Sequence, residues 1–286
     1  MSRCGQIVKQ TGQEHRQELA KLIKQASYGH ATWQIWDDLM YMGAAALAQP
    51  MKWVQAREDE YLRRIGRYDK KVQELFPQMF GEIMLAFEQE GLVDVLGDMY
   101  MQLELHNKWT GQFFTPSHIS DLMAKIVDTD ITAEVERRGY ISVIDPCCGG
   151  GAMLIAYAKA AHEAGVNYQH DVLFVGQDID PVVARMCYIS MALLGMPGYV
   201  VIGNSLLMDR ENWDYWFTPM YFIHGFQWRR QREEAHEAVT DVTTPPEDTA
   251  YPNAEILKTK EITLQIANVA HTLEYNESKA GQLSLF

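Results

Sequence analysis

Residues 143–152, which read Val-Ile-Asp-Pro-Cys-Cys-Gly-Gly-Gly-Ala, combine a carboxylate with a glycine-rich turn. An apolar run ends at Asp145, and three consecutive glycines follow before a helical pattern begins. Glycines let the backbone approach a ligand closely because they carry no Cβ. A carboxylate at the end of a strand can bind a cationic or hydroxyl-bearing group. The turn lacks the Gly-Lys-Ser/Thr of a phosphate loop and the GxGxxG spacing of dinucleotide-binding proteins. We therefore expect a ligand without a pyrophosphate.

A second group of polar side chains follows two later apolar runs. Asp178 ends the run that follows the glycine turn, at the position where doubly wound domains hold a ribose hydroxyl. Asp180 competes for this role, but Pro181 follows it, and the pair is typical of a helix N-cap and first turn. We prefer Asp178 for the ribose. Asn204 ends the third run and either contacts an adenine ring edge or starts a turn.

These motifs lie where predicted strands end. Short β-rich runs cover residues 140–144, 172–175 and 199–202, and helical patterns cover residues 152–164 and 181–194. Strands that alternate with helices predict an α/β fold with a parallel sheet. An apolar stripe over residues 72–87 predicts a helix that ends near Gly91, within a helical N-terminal region. We predict a helical region over residues 1–108, an α/β domain over 109–232, and a polar linker and tail over 233–286.

The composition limits the class of protein. The 286 residues carry a net charge of −13, which argues against a large non-specific grip on DNA, since Lys and Arg supply most such affinity. No apolar run reaches the length of a membrane-spanning helix, and the N-terminus lacks a signal-peptide pattern. The four cysteines show no CxxC spacing, which favours reduced thiols in the cytoplasm.

Four motifs together resemble the N6-adenine DNA methylase family, which includes the modification subunits of type I restriction systems. They are residues 110–116 (Thr-Gly-Gln-Phe-Phe-Thr-Pro), 145–152, 176–181 and 203–206, and they occur in the family's order. The resemblance covers roughly residues 90–225 and is strongest to short phage or mobile-element members. It implies a Rossmann-like S-adenosylmethionine-dependent methyltransferase domain, with DNA as substrate and a separate specificity subunit as a possible partner.

The resemblance also implies roles for individual residues. The segment from Gly111 to Pro116 would line the methionine end of S-adenosylmethionine, and the glycine turn would hold the amino acid portion. Asp178 would bind the ribose, and position 204, usually acidic in the family, would contact the adenine amine. The predicted cofactor-binding residues are Gly111, Gln112, Phe113, Phe114, Thr115, Pro116, Asp145, Pro146, Cys147, Gly149, Gly151, Asp178, Ile179 and Asn204.

The chain departs from the family at the catalytic tetrapeptide. Family members carry Asn-Pro-Pro-Tyr or Asn-Pro-Pro-Phe, whose Asn accepts hydrogens from the target amine while the aromatic ring stacks on the flipped base. The best-placed candidate is residues 218–221, in which Thr218, Pro219 and Tyr221 are the predicted catalytic residues. A Thr hydroxyl replaces the Asn amide, and a lost acceptor would cost about 10²–10³ in rate. A plain turn at the end of a strand is an equal interpretation.

The last residues read Gly-Gln-Leu-Ser-Leu-Phe and resemble the peptide by which bacterial DNA enzymes dock on the replicative sliding clamp. The predicted partner-binding residues are Gln282, Leu283, Leu285 and Phe286. Apolar side chains at the end of a polar tail would otherwise be exposed, and they suit a short linear binding site. The alternative is a terminus that packs on its own domain. Tethering to a clamp that encircles DNA would compensate for the acidic charge.

Three hypotheses follow. The chain is an active adenine-N6 DNA methyltransferase, or it is a catalytically impaired relative that keeps the S-adenosylmethionine pocket and acts by docking on DNA or on the clamp. A third, weaker hypothesis is an acidic decoy that inhibits a restriction enzyme.

Overall fold

The computed structural model describes residues 10–105, 131–207 and 213–229, together with the backbone of two short strands near the C-terminus. The chain forms two compact units, Met1–Glu233 and Glu234–Phe286. In the second unit, two short strands, Asn276–Glu277 and Leu283–Ser284, pair in antiparallel fashion.

The first part of the larger unit is helical, as the sequence predicts. A capping box between Thr11 and Glu14 begins the first helix, because each side chain bonds the other residue's backbone N–H. Apolar stripes on these helices pack into one core. The helices are α1 (Gly12–Ala26), α2 (Thr32–Ala48), α3 (Gln55–Ile65), α4 (Lys70–Gln73), α5 (Leu75–Glu90) and α6 (Val95–Gln102).

The helix predicted over residues 72–87 differs in its start. Val72 belongs to the separate one-turn helix α4, and α5 begins at Leu75, two residues before Pro77. Proline lacks a backbone N–H and is tolerated in the first turn of a helix but not in its interior. The helix therefore restarts just before Pro77. It ends at Gly91 as predicted, where φ is +68° and the N–H bonds Phe87 O at 2.9 Å.

The second part of the unit contains a four-stranded sheet, in which the strands lie side by side in chain order. The first three strands are parallel and are joined by helices, so the predicted α/β class with a parallel sheet is confirmed. The elements are α7 (Ile131–Arg138), β1 (Ile141–Asp145), α8 (Ala152–Glu163), α9 (Tyr168–Asp171), β2 (Val172–Asp178), α10 (Pro181–Leu193), β3 (Gly198–Ile202), β4 (Asp214–Phe217) and α11 (Pro219–Ile223).

The helical part and the sheet share one hydrophobic core, in which α2 packs against α10. Arg57 of α3 links the helical part to β4, because it bonds the Asp214 carboxylate at 2.8 Å and stacks over the Trp216 ring at 3.9 Å. The predicted boundary between residues 108 and 109 falls outside the described residues. Among the helices that the structure describes, none has the length and apolar character needed to cross a membrane.

The buried acid at the start of α6, Asp94, is expected to make the stability of the protein depend on pH. Asp94 is 9% exposed and caps α6 by accepting the Gly97 N–H at 2.8 Å. Burial raises the pKa of Asp94 to about 6, and the nearby charge of Asp98 also raises it. The unfolded value is about 4, so the folded protein binds the proton more tightly. The contribution of Asp94 to the free energy of unfolding is therefore greatest below pH ~4, and it falls as the pH rises toward ~6.

Substituting Asp94→Asn should remove this dependence, because Asn caps a helix as well as Asp does and carries no charge. The free energy of unfolding of the wild type should fall by roughly 1–3 kcal/mol relative to the variant between pH ~4 and ~6. Urea denaturation of both proteins across this range measures the difference, in which groups common to both cancel. Parallel curves for the two proteins would contradict the prediction.

Candidate functional site

The glycine turn connects β1 to α8 at the carboxyl edge of the parallel strands. Its backbone is tied to β2, because the Cys148 N–H bonds Gln177 O at 2.9 Å. Gly149 and Gly151 have φ values of +50° and +96°, which L side chains rarely adopt. A Cβ at Gly151 would also lie only 2.9 Å from Cys187 Sγ. The conformation therefore requires glycine at position 151 both for its backbone angle and for space.

Asp178 links the turn to the end of β2. One carboxylate oxygen accepts the Gly149 N–H at 2.8 Å, and the other accepts the Asp180 N–H at 2.9 Å. Each carboxylate oxygen has two lone pairs, so Asp178 retains capacity for further donors. Asp180 caps α10 by accepting the Val182 N–H at 2.8 Å, as the sequence predicted. The two acids at the end of β2 therefore have different tasks.

Asp145 lies at the end of β1, directly beside β2. Its carboxylate accepts the Cys147 N–H at 3.0 Å. Burial raises the pKa of Asp145, and the negative charge of Asp178 raises it further, although the hydrogen bond from Cys147 opposes the shift. A cation bound between the two acids would offset both the burial and the mutual repulsion. The electrostatics of this edge therefore favour a positively charged ligand.

The end of β3 completes the edge. The Gly203 N–H bonds Asp178 O at 2.9 Å, which holds the third strand end against the second. The Asn204 amide oxygen accepts the Leu206 N–H at 2.9 Å, so Asn204 occupies a tight turn. In this turn, the side-chain oxygen is directed to the backbone. Of the two sequence interpretations for Asn204, the structure shows the turn.

Apolar side chains around this edge were not all identified from sequence. Ile179 is 67% exposed and Leu206 is 89% exposed, although both are large and aliphatic. Trp213 covers Gly203 so closely that a Cβ there would lie 2.4 Å from its ring. The sequence analysis singled out neither Trp213 nor Leu206 as a ligand contact, although Leu206 belongs to the motif at residues 203–206. A flat apolar ring could be held among such side chains.

The structure brings together the predicted residues that it describes at the three strand ends. Their shared location is the carboxyl edge of the parallel sheet, and they are Asp145, Pro146, Cys147, Gly149, Gly151, Asp178, Ile179 and Asn204. The predicted cofactor segment 111–116 lies outside the described residues. The same holds for Gln282, Leu285 and Phe286, and for the side chain of Leu283.

The predicted catalytic residues lie at the opposite end of β3 from the glycine turn. β4 runs antiparallel to β3, so its last residue, Phe217, pairs with Tyr199 near the start of β3. Thr218 follows and bonds Gly198, the first residue of β3. The length of β3, roughly 15 Å at about 3.3 Å per residue, separates Thr218 from the carboxyl edge.

The side chains of this segment are also committed to packing. The Thr218 hydroxyl is fully buried, accepts the Gly198 N–H at 3.0 Å and donates to Met196 O at 2.9 Å. Pro219 starts α11, and Tyr221 is 6% exposed in a cluster with Tyr140. Thr218 and Tyr221 therefore hold the strand end and do not face the carboxyl edge.

One substitution distinguishes the structural role of the Thr218 hydroxyl from its predicted catalytic role. Thr218→Val keeps the shape but removes the hydroxyl, which leaves the buried Gly198 N–H and Met196 C=O without this partner. We expect a loss of about 1–3 kcal/mol in the free energy of unfolding. Ligand affinity at the carboxyl edge should not change. Thr218→Ser, which keeps the hydroxyl, is the matched control for urea denaturation, and equal stability of Thr218→Val and wild type would contradict the structural role.

Comparison with known proteins shows which proteins this chain is similar to. A family model described as N-6 DNA Methylase matches residues 92–265. The Type I restriction enzyme MjaIX methylase subunit of Methanocaldococcus jannaschii is 26% identical over 136 residues, which is 46% of this chain and 22% of that protein. The Type I restriction enzyme MpnII methylase subunit of Mycoplasma pneumoniae is 26% identical over 165 residues, 55% of this chain and 28% of that protein.

Two solved structures show a weaker likeness. A putative class I S-adenosylmethionine-dependent methyltransferase from Listeria monocytogenes aligns with a TM-score of 0.39 and 16% identity, covering 68% of this chain and 55% of that chain. A type I restriction-modification methyltransferase subunit from Streptococcus thermophilus aligns with a TM-score of 0.38 and 14% identity, covering 70% and 60%. The alignments to the two curated relatives span only about a quarter of those proteins.

Proposed function

Because this chain belongs to the N-6 DNA methylase family, we propose that it binds S-adenosylmethionine at the carboxyl edge and serves methyl transfer to adenine N6 in DNA. One observation carries the proposal. Asp145 and Asp178 lie at neighbouring strand ends on either side of a turn that requires glycine. This arrangement favours a ligand that is both cationic and rich in hydroxyl groups.

The residues at the edge fit the parts of this cofactor. Asp145, whose charge is disfavoured by burial and by Asp178, would accept the cationic α-amino group. Asp178 would bind ribose hydroxyls with its remaining lone pairs. Ile179 and Trp213 would contact the adenine ring, and Gly111–Pro116 would line the methionine end. When bound, S-adenosylmethionine supplies an electrophilic methyl group on a sulfonium.

A calorimetric titration tests the cofactor proposal. S-adenosylmethionine should bind, and ATP should not, because a triphosphate would face two carboxylates. Asp145→Asn should weaken S-adenosylmethionine by roughly tenfold or more, as expected for a hydrogen bond to a charged group. Asp59→Asn, at an exposed acid on α3, is the matched control and should bind as wild type does. Equal binding of both ligands, or no binding of S-adenosylmethionine, would reject the proposal.

Transfer to DNA is a separate step that needs its own measurement. The expected result is labelled methyl transfer to N6 of adenine in duplex or single-stranded DNA. In cells that express the chain, N6-methyladenine should appear in DNA and disappear with Asp145→Ala. Thr218, Pro219 and Tyr221 are the proposed catalytic residues, and this role requires the segment that holds them to reach the carboxyl edge during turnover. Transfer that survives Thr218→Val would remove Thr218 from the reaction.

The position of Thr218 favours a second candidate function, in which the chain binds S-adenosylmethionine without transferring methyl groups by itself. The buried hydroxyl at the opposite end of β3 is the specific observation. In that case, the titration succeeds while DNA from expressing cells stays unmethylated. Detection of N6-methyladenine that depends on Asp145 would exclude this candidate.

Partners and location are also part of the proposal. We propose that DNA contact depends on a partner, because the chain carries a net charge of −13. One candidate is a separate specificity subunit, and another is a bacterial sliding clamp that binds Gln282, Leu283, Leu285 and Phe286 in the cytoplasm. Surface-plasmon measurements with purified clamp test the latter. Leu285→Ala combined with Phe286→Ala should abolish binding, whereas Ser284→Ala should not.

A further inference from the structure

Two cysteine side chains meet beneath the glycine turn. Cys148 belongs to the turn itself, and Cys187 lies in α10, which packs against it. A Cβ placed on Gly176 of β2 would lie 3.0 Å from Cys148 Sγ and 3.3 Å from Cys187 Sγ. Both sulfur atoms therefore lie against Gly176. The distance between them cannot exceed the sum of 3.0 Å and 3.3 Å.

Neither thiol is held by a strong competing partner. The Cys148 thiol faces Gly149 O at 3.7 Å, and the Cys187 thiol faces Met191 Sδ at 3.8 Å, both long and weak sulfur contacts. Cys187 is fully buried, and Cys148 is 5% exposed. The Cys148 side chain and burial both raise the pKa of Cys187, so Cys187 rests as a neutral thiol. Reaction with a small oxidant would begin at Cys148, the more exposed of the two thiols.

We propose that Cys148 and Cys187 form a reversible disulfide that displaces the glycine turn and weakens S-adenosylmethionine binding at the carboxyl edge, an inference whose regulatory part rests on the proposed function. Hydrogen peroxide supplies the oxidising equivalents. The Cys148 thiolate attacks peroxide, forming a sulfenic acid and releasing hydroxide, which takes up the proton that Cys148 lost. The Cys187 sulfur then attacks the sulfenic sulfur, forming the S–S bond and releasing water. Two thiols and one peroxide thus yield one disulfide and two waters.

Closing the bond must move the turn. A disulfide holds its sulfurs about 2.05 Å apart, which is far shorter than a contact between two unbonded thiols. Cys148 is also fixed by its N–H bond to Gln177 O at 2.9 Å and by the Gly151 N–H that bonds its carbonyl at 2.8 Å. Packed interiors transmit such a displacement instead of absorbing it. The neighbouring Gly149 N–H, which bonds Asp178, would shift with Cys148.

Peptide mapping of the full chain tests the cross-link without any cofactor. After treatment with hydrogen peroxide, the peptide that contains Cys148 should be joined to the peptide that contains Cys187, with loss of two hydrogen atoms, and a thiol reductant should reverse it. Cys187→Ala and Cys187→Ser should both lack this species. A link through Cys147 or Cys4, irreversible oxidation to sulfinic acid, or no link would overturn the proposal.

Two readouts test whether the disulfide displaces the turn and weakens cofactor binding. The oxidised protein should bind S-adenosylmethionine at least about tenfold more weakly than the reduced protein, and the affinity of Cys187→Ala should be unaffected by peroxide. Amide hydrogen exchange of residues 145–152 should also change on oxidation, with or without cofactor. If the cross-link forms and neither quantity changes, the regulatory claim fails. If reduced protein does not bind S-adenosylmethionine, the proposed function fails while mapping and exchange still decide the disulfide.

Discussion

Replacing Asp178 by alanine is expected to weaken S-adenosylmethionine binding by about 10²-fold. A hydrogen bond to a charged group contributes about 1.5–3 kcal/mol, and the substitution removes the proposed bonds to the ribose. The substitution also removes the acceptor of the Gly149 N–H, which lies 2.8 Å from the Asp178 carboxylate. The turn therefore loses a stabilising hydrogen bond, in addition to the contact that the ligand loses. Calorimetric titration of the folded variant measures the loss.

The neighbouring acid provides the matched control. Asp180→Asn keeps a side-chain oxygen for the Val182 N–H at the start of α10, and Asn is as good an N-cap as Asp. Its cofactor affinity should equal that of wild type. Asp178→Asn should give an intermediate loss, because one oxygen acceptor remains without the negative charge. If Asp178→Ala is folded and binds as wild type does, the ribose role assigned to Asp178 is wrong.

The sequence patterns were sufficient to predict which residues lie together at the carboxyl edge of the sheet. The first three strands were placed within a few residues, because apolar β-rich runs are bounded by turn residues such as Gly139 and Gly203. Parallel strands present their carboxyl ends at one edge, so Asp145, Asp178 and Asn204 had to lie near one another. The N-cap at Asp180 was also predictable, because both Asp180 and Pro181 have strong positional preferences.

The direction of β4 could not be predicted, because strand propensity is the same for parallel and antiparallel pairing. Tertiary packing determines it in this protein. Trp216 is 1% exposed and lies under Arg57, while Tyr188 of α10 bonds Phe217 O at 3.2 Å. Arg57 and its partner Asp214 are 157 residues apart in the chain. No local sequence pattern predicts such a long-range contact, and the position of Thr218 at the end of β4 depends on this packing.

The thiol pair was hidden for a similar reason. The sequence shows four cysteines without CxxC spacing, and adjacent Cys147 and Cys148 suggest no ordinary disulfide. The contact between Cys148 and Cys187 arises only because α10 lies across the turn, where Gly151 and Gly176 leave room for sulfur. The glycines were attributed to ligand approach alone. The structure shows that Gly151 is equally required by the helix behind it.

Substituting Gly151→Ala is therefore expected to destabilise the protein by about 2–5 kcal/mol. A left-handed backbone costs an L residue about 1–2 kcal/mol, and φ at Gly151 is +96°. Overpacking a core costs about 1–3 kcal/mol more, and the new Cβ would lie 2.9 Å from Cys187 Sγ. Urea denaturation measures the change. S-adenosylmethionine binding should be lost, because the turn must shift to make room for the alanine side chain.

Gly139→Ala is the matched control, since Gly139 has a similar φ of +82° but no atom within 4 Å of the added Cβ. It should cost only the backbone part, about 1–2 kcal/mol. The difference between the two variants isolates the contact with Cys187. Adding Cys187→Ala to the Gly151→Ala protein removes the sulfur and should recover part of the stability, which a double-mutant cycle quantifies. Equal losses for Gly139→Ala and Gly151→Ala, with no coupling to Cys187, would show that the turn and α10 are not in the close contact on which the proposed disulfide depends.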